Sequence, residues 1–596
     1  MTRKSRMFYR YGLYAFLMAI FAVFLLWPIG LTVSGAFFDP QGGMTTKYFF
    51  GDIGVFNDAI YRQGMVNSLI IATVTTILCL LIALPLAALS TKYEFRGKAL
   101  LSSLVMVPLI LPPFVGAIGL RSLLGRYGGV NALLMSLGIL PPDHPGIDFL
   151  GDDFIGGRFT GIVIAEALHL YPILFLNVTA AMANLDPALD EAAQGLGASR
   201  WTRFTKITLP LITPGVFAGA TIVFIWSFTE LGTPLMFDFY TVTPVQILYG
   251  LQEVQTSPRP YALVVVMLAV AVGLYLFSKW LVGGQSYEMQ SKASVASTTK
   301  ALTGFKGLGA MFAFLFVIGL AVLPHIGVIL SSFSVDGQWY RSILPMEWTT
   351  EHYSNALTHK LAVGSIRNSL LYASIAMVLC IAIGLSISYL NVRVKIRGGW
   401  LLDSLAMLPL AVPGLVMAFG FVAMSLSWPF PQLAAFFKSI GWDGLSSMMQ
   451  VTGNSPNPLL FLIVAYAIRR LPYVVRSATA GLQQTSGQLE EAALNLGATP
   501  MTAIRKIVVP LIMANLIAGG ILAFSFAMLE VSDSLVLAQK EQHYPITKAI
   551  YDLFLRLGDG PYIASAMGVW GMALLTVTLV GAGMMMGKKL GAIFRV

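Results

Sequence analysis

The 596-residue chain is 56% hydrophobic and 11% charged, with a mean hydropathy of +0.75, which excludes a water-soluble globular domain and requires lipid around most of the chain. Its net charge of +10 comes from Lys and Arg in short clusters between long apolar runs, the distribution set by charge bias across a bilayer and not a nucleic-acid-binding face. Cys79 and Cys380 both lie inside apolar runs, so neither a disulfide framework nor a metal site is suggested, and the redox compartment is not legible.

From the amino terminus, Arg3, Lys4, Arg6 and Arg10 precede an apolar run of about twenty residues, long for a signal-peptide core and long enough to span, which predicts an uncleaved first helix. A window of about twenty residues finds twelve spans along the chain, centred near Phe21, Ile77, Leu111, Ile173, Ala220, Val270, Val317, Val378, Val412, Ala467, Gly520 and Leu574. Basic clusters fall on one side of these spans: Lys92, Arg96 and Lys98; Arg200, Arg203 and Lys206; Lys279 to Lys306; Arg393, Lys395 and Arg397; Arg505 and Lys506; Lys588 and Lys589. The positive-inside rule makes that side cytoplasmic and puts both termini there. Loops on the other side are acidic or mixed, as at Asp143, Asp148, Asp152 and Asp153, or Glu347 and Glu351.

The chain repeats itself. LDEAAQGLGASRWTRFTKITLPLI, ending at Ile212, is matched by LEEAALNLGATPMTAIRKIVVPLI, ending at Ile512, and 13 of 30 positions are identical between Asp186–Gly215 and Ser486–Asn515. A second match joins MVPLILPPFVGAIG from Met106 to MLPLAVPGLVMAFG from Met407, and Asn67-Ser68-Leu69 to Asn368-Ser369-Leu370. The expected fold is an all-α polytopic membrane protein of two parallel six-helix halves, residues 1–283 and 305–596, with residues 284–304 as a polar, Ser- and Thr-rich cytoplasmic linker.

The repeated loops, 186–212 and 486–512, follow the fourth span of each half. Asp186 and Ser486 are N-cap residues and Pro187 suits a first helical position. Leu189, Ala192, Ala193 and Leu196 then share one face while Glu191 points elsewhere, and Gly197 tolerates a left-handed helix end. The reading is a short amphipathic helix at the membrane surface, followed by a second short helix that bends into the membrane at Pro210, and again at Pro510.

EAA, three residues, Gly, then a basic stretch ending in Ile-x-x-Pro resembles the EAA loop of binding-protein-dependent ABC importer permeases, here present twice. The resemblance implies the type I importer permease (MetI-like) fold. It also implies that each loop docks on one of two copies of a separate ATPase, through Glu191, Ala192, Ala193 and Gly197 in the first half and Glu491, Ala492, Ala493 and Gly497 in the second. The chain contains no G-x-x-x-x-G-K-[ST] phosphate loop, so ATP and Mg belong to the partner and this chain is expected to bind no cofactor and to catalyse nothing itself. An extracellular or periplasmic substrate-binding protein and a bacterial inner-membrane location are further implications.

Polar groups inside spans are functional candidates because lipid penalises them. In the fourth span Glu166 and His169 lie one turn apart, its counterpart carries Arg469 and Arg470, and Glu230 and Glu530 end the two fifth spans. These six are candidates for a translocation path, with two alternatives: pairing across the interface between halves for the first four, and polar caps at the water boundary for the two glutamates. No histidine spacing suggests a metal site. The fused length with LHLYP and RRLPYVVR resembles the ferric-iron importer branch, whose relatives also move thiamine, polyamines, aminoethylphosphonate or phosphorylated sugars. The glutamates suit a cation and the arginines an anion or chelate, which leaves the substrate open. A secondary transporter also has repeats and twelve spans, but does not need duplicated cytoplasmic docking loops.

Overall fold

A computed structural model describes residues 3–39, 41–151, 156–183, 185–283, 300–453 and 455–586. Asp152, Asp153, Lys588, Lys589 and linker residues 284–299 lie outside the described residues. The chain is helical almost throughout, as lipid requires of a backbone that must satisfy its own hydrogen bonds.

Among the described residues, eight helices are long and apolar enough to cross a membrane: Arg10–Phe37, Ala59–Lys92, Arg158–Ala183, Arg200–Phe228, Arg259–Ser278, Gly304–Phe333, Lys360–Val394 and Gly560–Gly581. Three bent pairs bring the total to as many as eleven: Lys98–Ile110 with Pro113–Ser136, Gly399–Leu410 with Gly414–Leu426, and Pro500–Leu511 with Met513–Met528. At the remaining expected span, around Ala467, lies the helix Leu459–Gln484, which is not among these eleven. Every 18-residue stretch of it contains Arg469, Arg470 and Arg476, more charge than a lipid-exposed span carries.

The spans expected around Leu111 and Val412 are instead broken into helix pairs bent by 96° and 103°. A residue preceding proline is driven out of the helical region, and the first break uses this: Leu111 before Pro112 is extended and Pro112 before Pro113 has ψ 139°, while at the second break Pro413, ahead of Gly414, also has ψ 139°. A bend of 78° is present in the second copy, at Ile512 and not at Pro510 itself, whereas Arg200–Phe228 runs through Pro210 as one helix. A π turn precedes each proline, Phe204–Thr208 and Ile504–Val508, so the N–H that Pro210 lacks falls where the regular ladder is already interrupted. The two copies diverge in sequence just after this point, at Thr213-Pro214-Gly215 and Met513-Ala514-Asn515.

The chain forms two compact units. One gathers Met1–Arg62, Thr243–Ala269 and Glu351–Ile593; the other gathers Gln63–Val242 and Val270–Thr350. Each unit therefore contains most of one repeat and the first helix of the other. Glycines admit those first helices. A Cβ on Gly119 would stand 2.1 Å from the Pro324 carbonyl oxygen, and one on Gly420, its repeat counterpart, 2.8 Å from that of Pro28. Small residues at such crossings let backbones meet where lipid removes any hydrophobic drive for helix association.

The repeat is visible in detail in the cores. Cys79 donates to the Ala167 carbonyl at 3.6 Å and Cys380 to that of Ala467 at 3.1 Å. The end of the segment expected as linker is ordered: Lys300–Ala301 forms a parallel strand with Tyr93–Glu94, and the Leu302 N–H donates to the Glu94 carbonyl at 2.8 Å. Backbone pairing and the packing of Leu302 on the apolar core overcome the polar composition that suggested a loose tether.

Candidate coupling loops and buried polar clusters

In the first loop Asp186 accepts from the Ala188 N–H at 2.9 Å, the helix runs Pro187–Gly195, and Gly197 follows with φ +81°. The helix Gln488–Asn495 repeats this, with Gly497 at φ +93°. Ser486 stands one residue before the cap position, held by Gly487, yet still accepts from the Gln488 N–H at 3.2 Å. In both copies the end is closed by a backbone bond of 3.0 Å, Ala198 to Ala193 and Ala498 to Ala493. Nothing lies within 4 Å of a Cβ at either glycine, so backbone conformation and not crowding demands Gly there.

The apolar face expected on these helices is uncovered. Leu196 and Leu496 are each 89% exposed, Leu189 and Leu489 are exposed, and Glu191, Ala192, Glu491 and Ala492 face solvent beside half-buried Ala193 and Ala493. A paired exposed leucine, small-residue face and carboxylate form a surface suited to a protein partner.

Other residues hold each loop in place and were not singled out from sequence. Ser199 and Thr499 cap the following short helices, accepting from the Thr202 and Thr502 N–H groups at 3.1 and 3.2 Å. Asp190 pairs with Arg203 at 3.1 Å, and Arg203 also reaches Gln194 at 2.9 Å. At the matching position Glu490 is buried, receives the Tyr389 hydroxyl and lies 3.7 Å from Arg393. The acid is common to both repeats, which was the available signal, but its partner comes from the loop in one and from the Lys360–Val394 helix in the other.

The six intramembrane candidates fall into local clusters within their own repeats. Glu166 is 1% exposed and accepts from the Ser227 hydroxyl, with its other oxygen unpartnered. His169 Nδ1 lies 2.9 Å from the Pro108 carbonyl oxygen beside the first bent pair. Glu230 accepts from the Gly232 and Thr233 N–H groups and the Thr233 hydroxyl, each at 3.2 Å, and so caps the short helix Gly232–Met236.

In the second repeat the chemistry changes. Glu530 bridges Arg469 and Arg470, and Arg469 also reaches Asp533 at 3.3 Å. Asp533 is fully buried and supplies the second countercharge that the sequence reading missed. Within its own repeat Glu166 accepts from Ser227 through one oxygen only, and the arginines pair with their own repeat's acids. Glu530 is 5% exposed, so it is not a water-facing cap. Where the second repeat has Arg469, Arg470 and Asp533, the first has His169, Leu170 and Thr233, which is why the equivalent glutamates differ in role. Among the described residues no three of His, Cys, Asp and Glu converge to hold a metal ion.

Comparison with known proteins agrees with the duplicated loop. A family model described as the binding-protein-dependent transport system inner membrane component matches residues 80–286 and again 367–582. The ferric transport system permease protein FbpB of Actinobacillus pleuropneumoniae is 26% identical over 528 residues, covering 87% of this chain and 69% of that protein. The molybdenum transport system permease protein ModB of Escherichia coli is 30% identical over 224 residues, 37% of this chain and 92% of ModB. A crystal structure of a bacterial ABC transporter involved in the import of the acidic polysaccharide alginate aligns over 47% of this chain and 98% of its own, at a TM-score of 0.39 and 20% identity. With both matched regions together spanning more than half of its length, the chain belongs to the family of inner membrane components of binding-protein-dependent ABC importers and carries the family's domain twice.

Proposed function

We propose that this permease imports ferric iron or an iron chelate, with one copy of a separate ATPase on each coupling loop and both termini in the cytoplasm. The observation that carries the coupling assignment is the exposed helix ended by a left-handed glycine, present twice with Glu191 and Glu491 on it. A surface kept open at the same position in both repeats suits two identical partners. The iron assignment rests on similarity to a ferric permease over most of the chain, whereas the molybdenum permease covers about one repeat.

On this reading an external binding protein delivers the cargo, and ATP-driven closure of the two ATPase copies tilts the helices flanking each loop, alternately opening a path to either side. Glu166, His169, Glu230, Arg469, Arg470 and Glu530 lie on those flanking helices or directly after them and are proposed to border the path. A second reading is an anionic cargo, favoured by the paired guanidinium groups of Arg469 and Arg470. The test is ATP-dependent uptake of radioactive ferric iron and of molybdate by cells carrying the permease with its ATPase and binding protein. Uptake of iron alone supports the assignment. Uptake of molybdate alone replaces it with the anionic reading.

A further inference from the structure

Beside the second coupling loop, the chain forms an open crevice of about 720 Å³ whose polar lining includes Asn391, Lys395, Asp403, Arg476 and Gln483, with Trp400 at its edge. Its position next to the loop is set by Arg393, which donates to the Thr485 carbonyl at 2.9 Å. Lys395 and Arg476 are exposed, and among the described residues no ion pair holds Lys395, Arg476 or Asp403. Arg476 Nε rests on the Met407 sulfur at 3.3 Å, and among the described residues neither terminal nitrogen of the guanidinium has a protein acceptor. The Asn391 side-chain oxygen is buried and unpartnered. Trp400 is 73% exposed, an amphipathic ring of the kind that sits at headgroup depth.

The first repeat supplies an internal comparison. Where the second has Lys395, Gly399, Arg476 and Gln483, the first has Glu94, Lys98, Leu176 and Ala183. Glu94 and Lys98 neutralise each other at 2.8 Å, and the strand Lys300–Ala301 covers the backbone at Tyr93–Glu94. Among the described residues, the chain ahead of the first span is helical from Arg3 and does not repeat that strand. One copy of this surface is therefore charge-balanced and covered, while the other is open with a net excess of one positive charge, two basic groups against Asp403.

We infer that the crevice of the second repeat binds the phosphate headgroup of an anionic phospholipid of the cytoplasmic leaflet. The inference rests on the proposed cytoplasmic placement of the coupling loops. The crevice volume lies in the range of small-molecule sites, guanidinium and ammonium groups are suited to phosphate oxygens, and basic pockets of membrane proteins on the cytoplasmic side take anionic headgroups. Asp403 leaves room for a donor group on the headgroup, as the hydroxyls of phosphatidylglycerol provide. Bound there, the lipid anchors the base of the Leu459–Gln484 helix, which leads directly into the coupling loop.

The test uses the purified, delipidated permease with its ATPase, titrated with phosphatidylglycerol or with phosphatidylcholine and read by native mass spectrometry. The expected result is one phosphatidylglycerol retained in preference to phosphatidylcholine, with that preference weakened roughly tenfold in the variant carrying Lys395→Glu and Arg476→Leu. Those replacements are the first repeat's own residues at these positions. If that variant does not fold, Lys395→Asn removes one charge at a residue with φ +50°, which Asn tolerates, and it must lose part of the preference. Equal retention by the unmodified chain and a folded variant overturns the inference, as does displacement of the lipid by an equal concentration of inorganic phosphate. Retention of the ATPase in the same spectra reports on the coupling assignment separately.

Discussion

Gly119 and Pro324 lie so close that a Cβ on the glycine would stand 2.1 Å from the proline's carbonyl oxygen, and 2.6 Å from the Val328 nitrogen beyond it. Both obstacles are backbone and cannot rotate away. Gly119→Leu is expected to lower the melting temperature sharply or abolish recovery of folded chain, at a cost above the ~1–3 kcal/mol of ordinary core overpacking. Gly364→Ala, with nothing within 4 Å, is the control and is expected to be neutral or to stabilise by about 0.5–1 kcal/mol. Equal behaviour of the two variants in thermal size-exclusion assays contradicts the close crossing.

The Arg469, Arg470, Glu530 and Asp533 cluster makes a different prediction because, among the described residues, its charges form ion pairs only with one another. Arg469→Met leaves Asp533 and one Glu530 oxygen without their nearest cation and is expected to cost about 3–5 kcal/mol. Pairing it with Asp533→Leu should recover most of that loss. A double variant as unstable as the single one shows that Arg469 stabilises the chain through something other than this charge.

At Gly197 and Gly497 the expected penalty is conformational. Gly197→Val must hold a β-branched residue at φ +81° and should disorder the helix end by roughly 1–2 kcal/mol locally, whereas Gly197→Asn should be tolerated. Because no neighbour fills the space beside the Cβ, global stability should be unchanged while ATP-dependent uptake falls. Reduced expression of Gly197→Val in step with reduced uptake points to folding instead of coupling.

The two loops should also respond unequally to loss of their basic tethers. Arg203→Ala frees a half-buried Asp190 within the loop, but Arg393→Ala strips a buried Glu490 of its cation and releases Thr485 as well. The second change is expected to reduce crosslinking to the ATPase more than the first, measured through single cysteines placed at Leu496 and Leu196. Identical losses contradict the difference in anchoring.

For the proposed path, Glu166→Cys, His169→Cys, Arg469→Cys and Arg470→Cys should react with a polar thiol reagent in at least one nucleotide state, and Val270→Cys in none. The native cysteines are fully buried and provide the unreactive background. Four unreactive positions in a chain that still transports assign these residues to structure alone.

Much of this protein could be read from local chemistry. Asp186 and Gly197 mark a helix start and a left-handed end by side-chain oxygen and missing Cβ alone, and the duplicated loop needs only an internal comparison. Apolar stretches of spanning length follow from the energetics of exposing polar groups to lipid. A hydropathy window sums polarity without direction, however, so it passed through Leu111-Pro112-Pro113 although residues before proline cannot remain helical there. The same window tests a helix as if lipid surrounded it, which is why Leu459–Gln484 fails by composition while Glu530 and Asp533 neutralise two of its arginines. Those acids lie sixty or more residues away in the chain, and only packing could pair them with Arg469 and Arg470. Tertiary structure likewise decided that the helix Gly304–Phe333 packs with residues of the first repeat, because the Gly119 backbone leaves room for Pro324 and no local signal states which proline will occupy it.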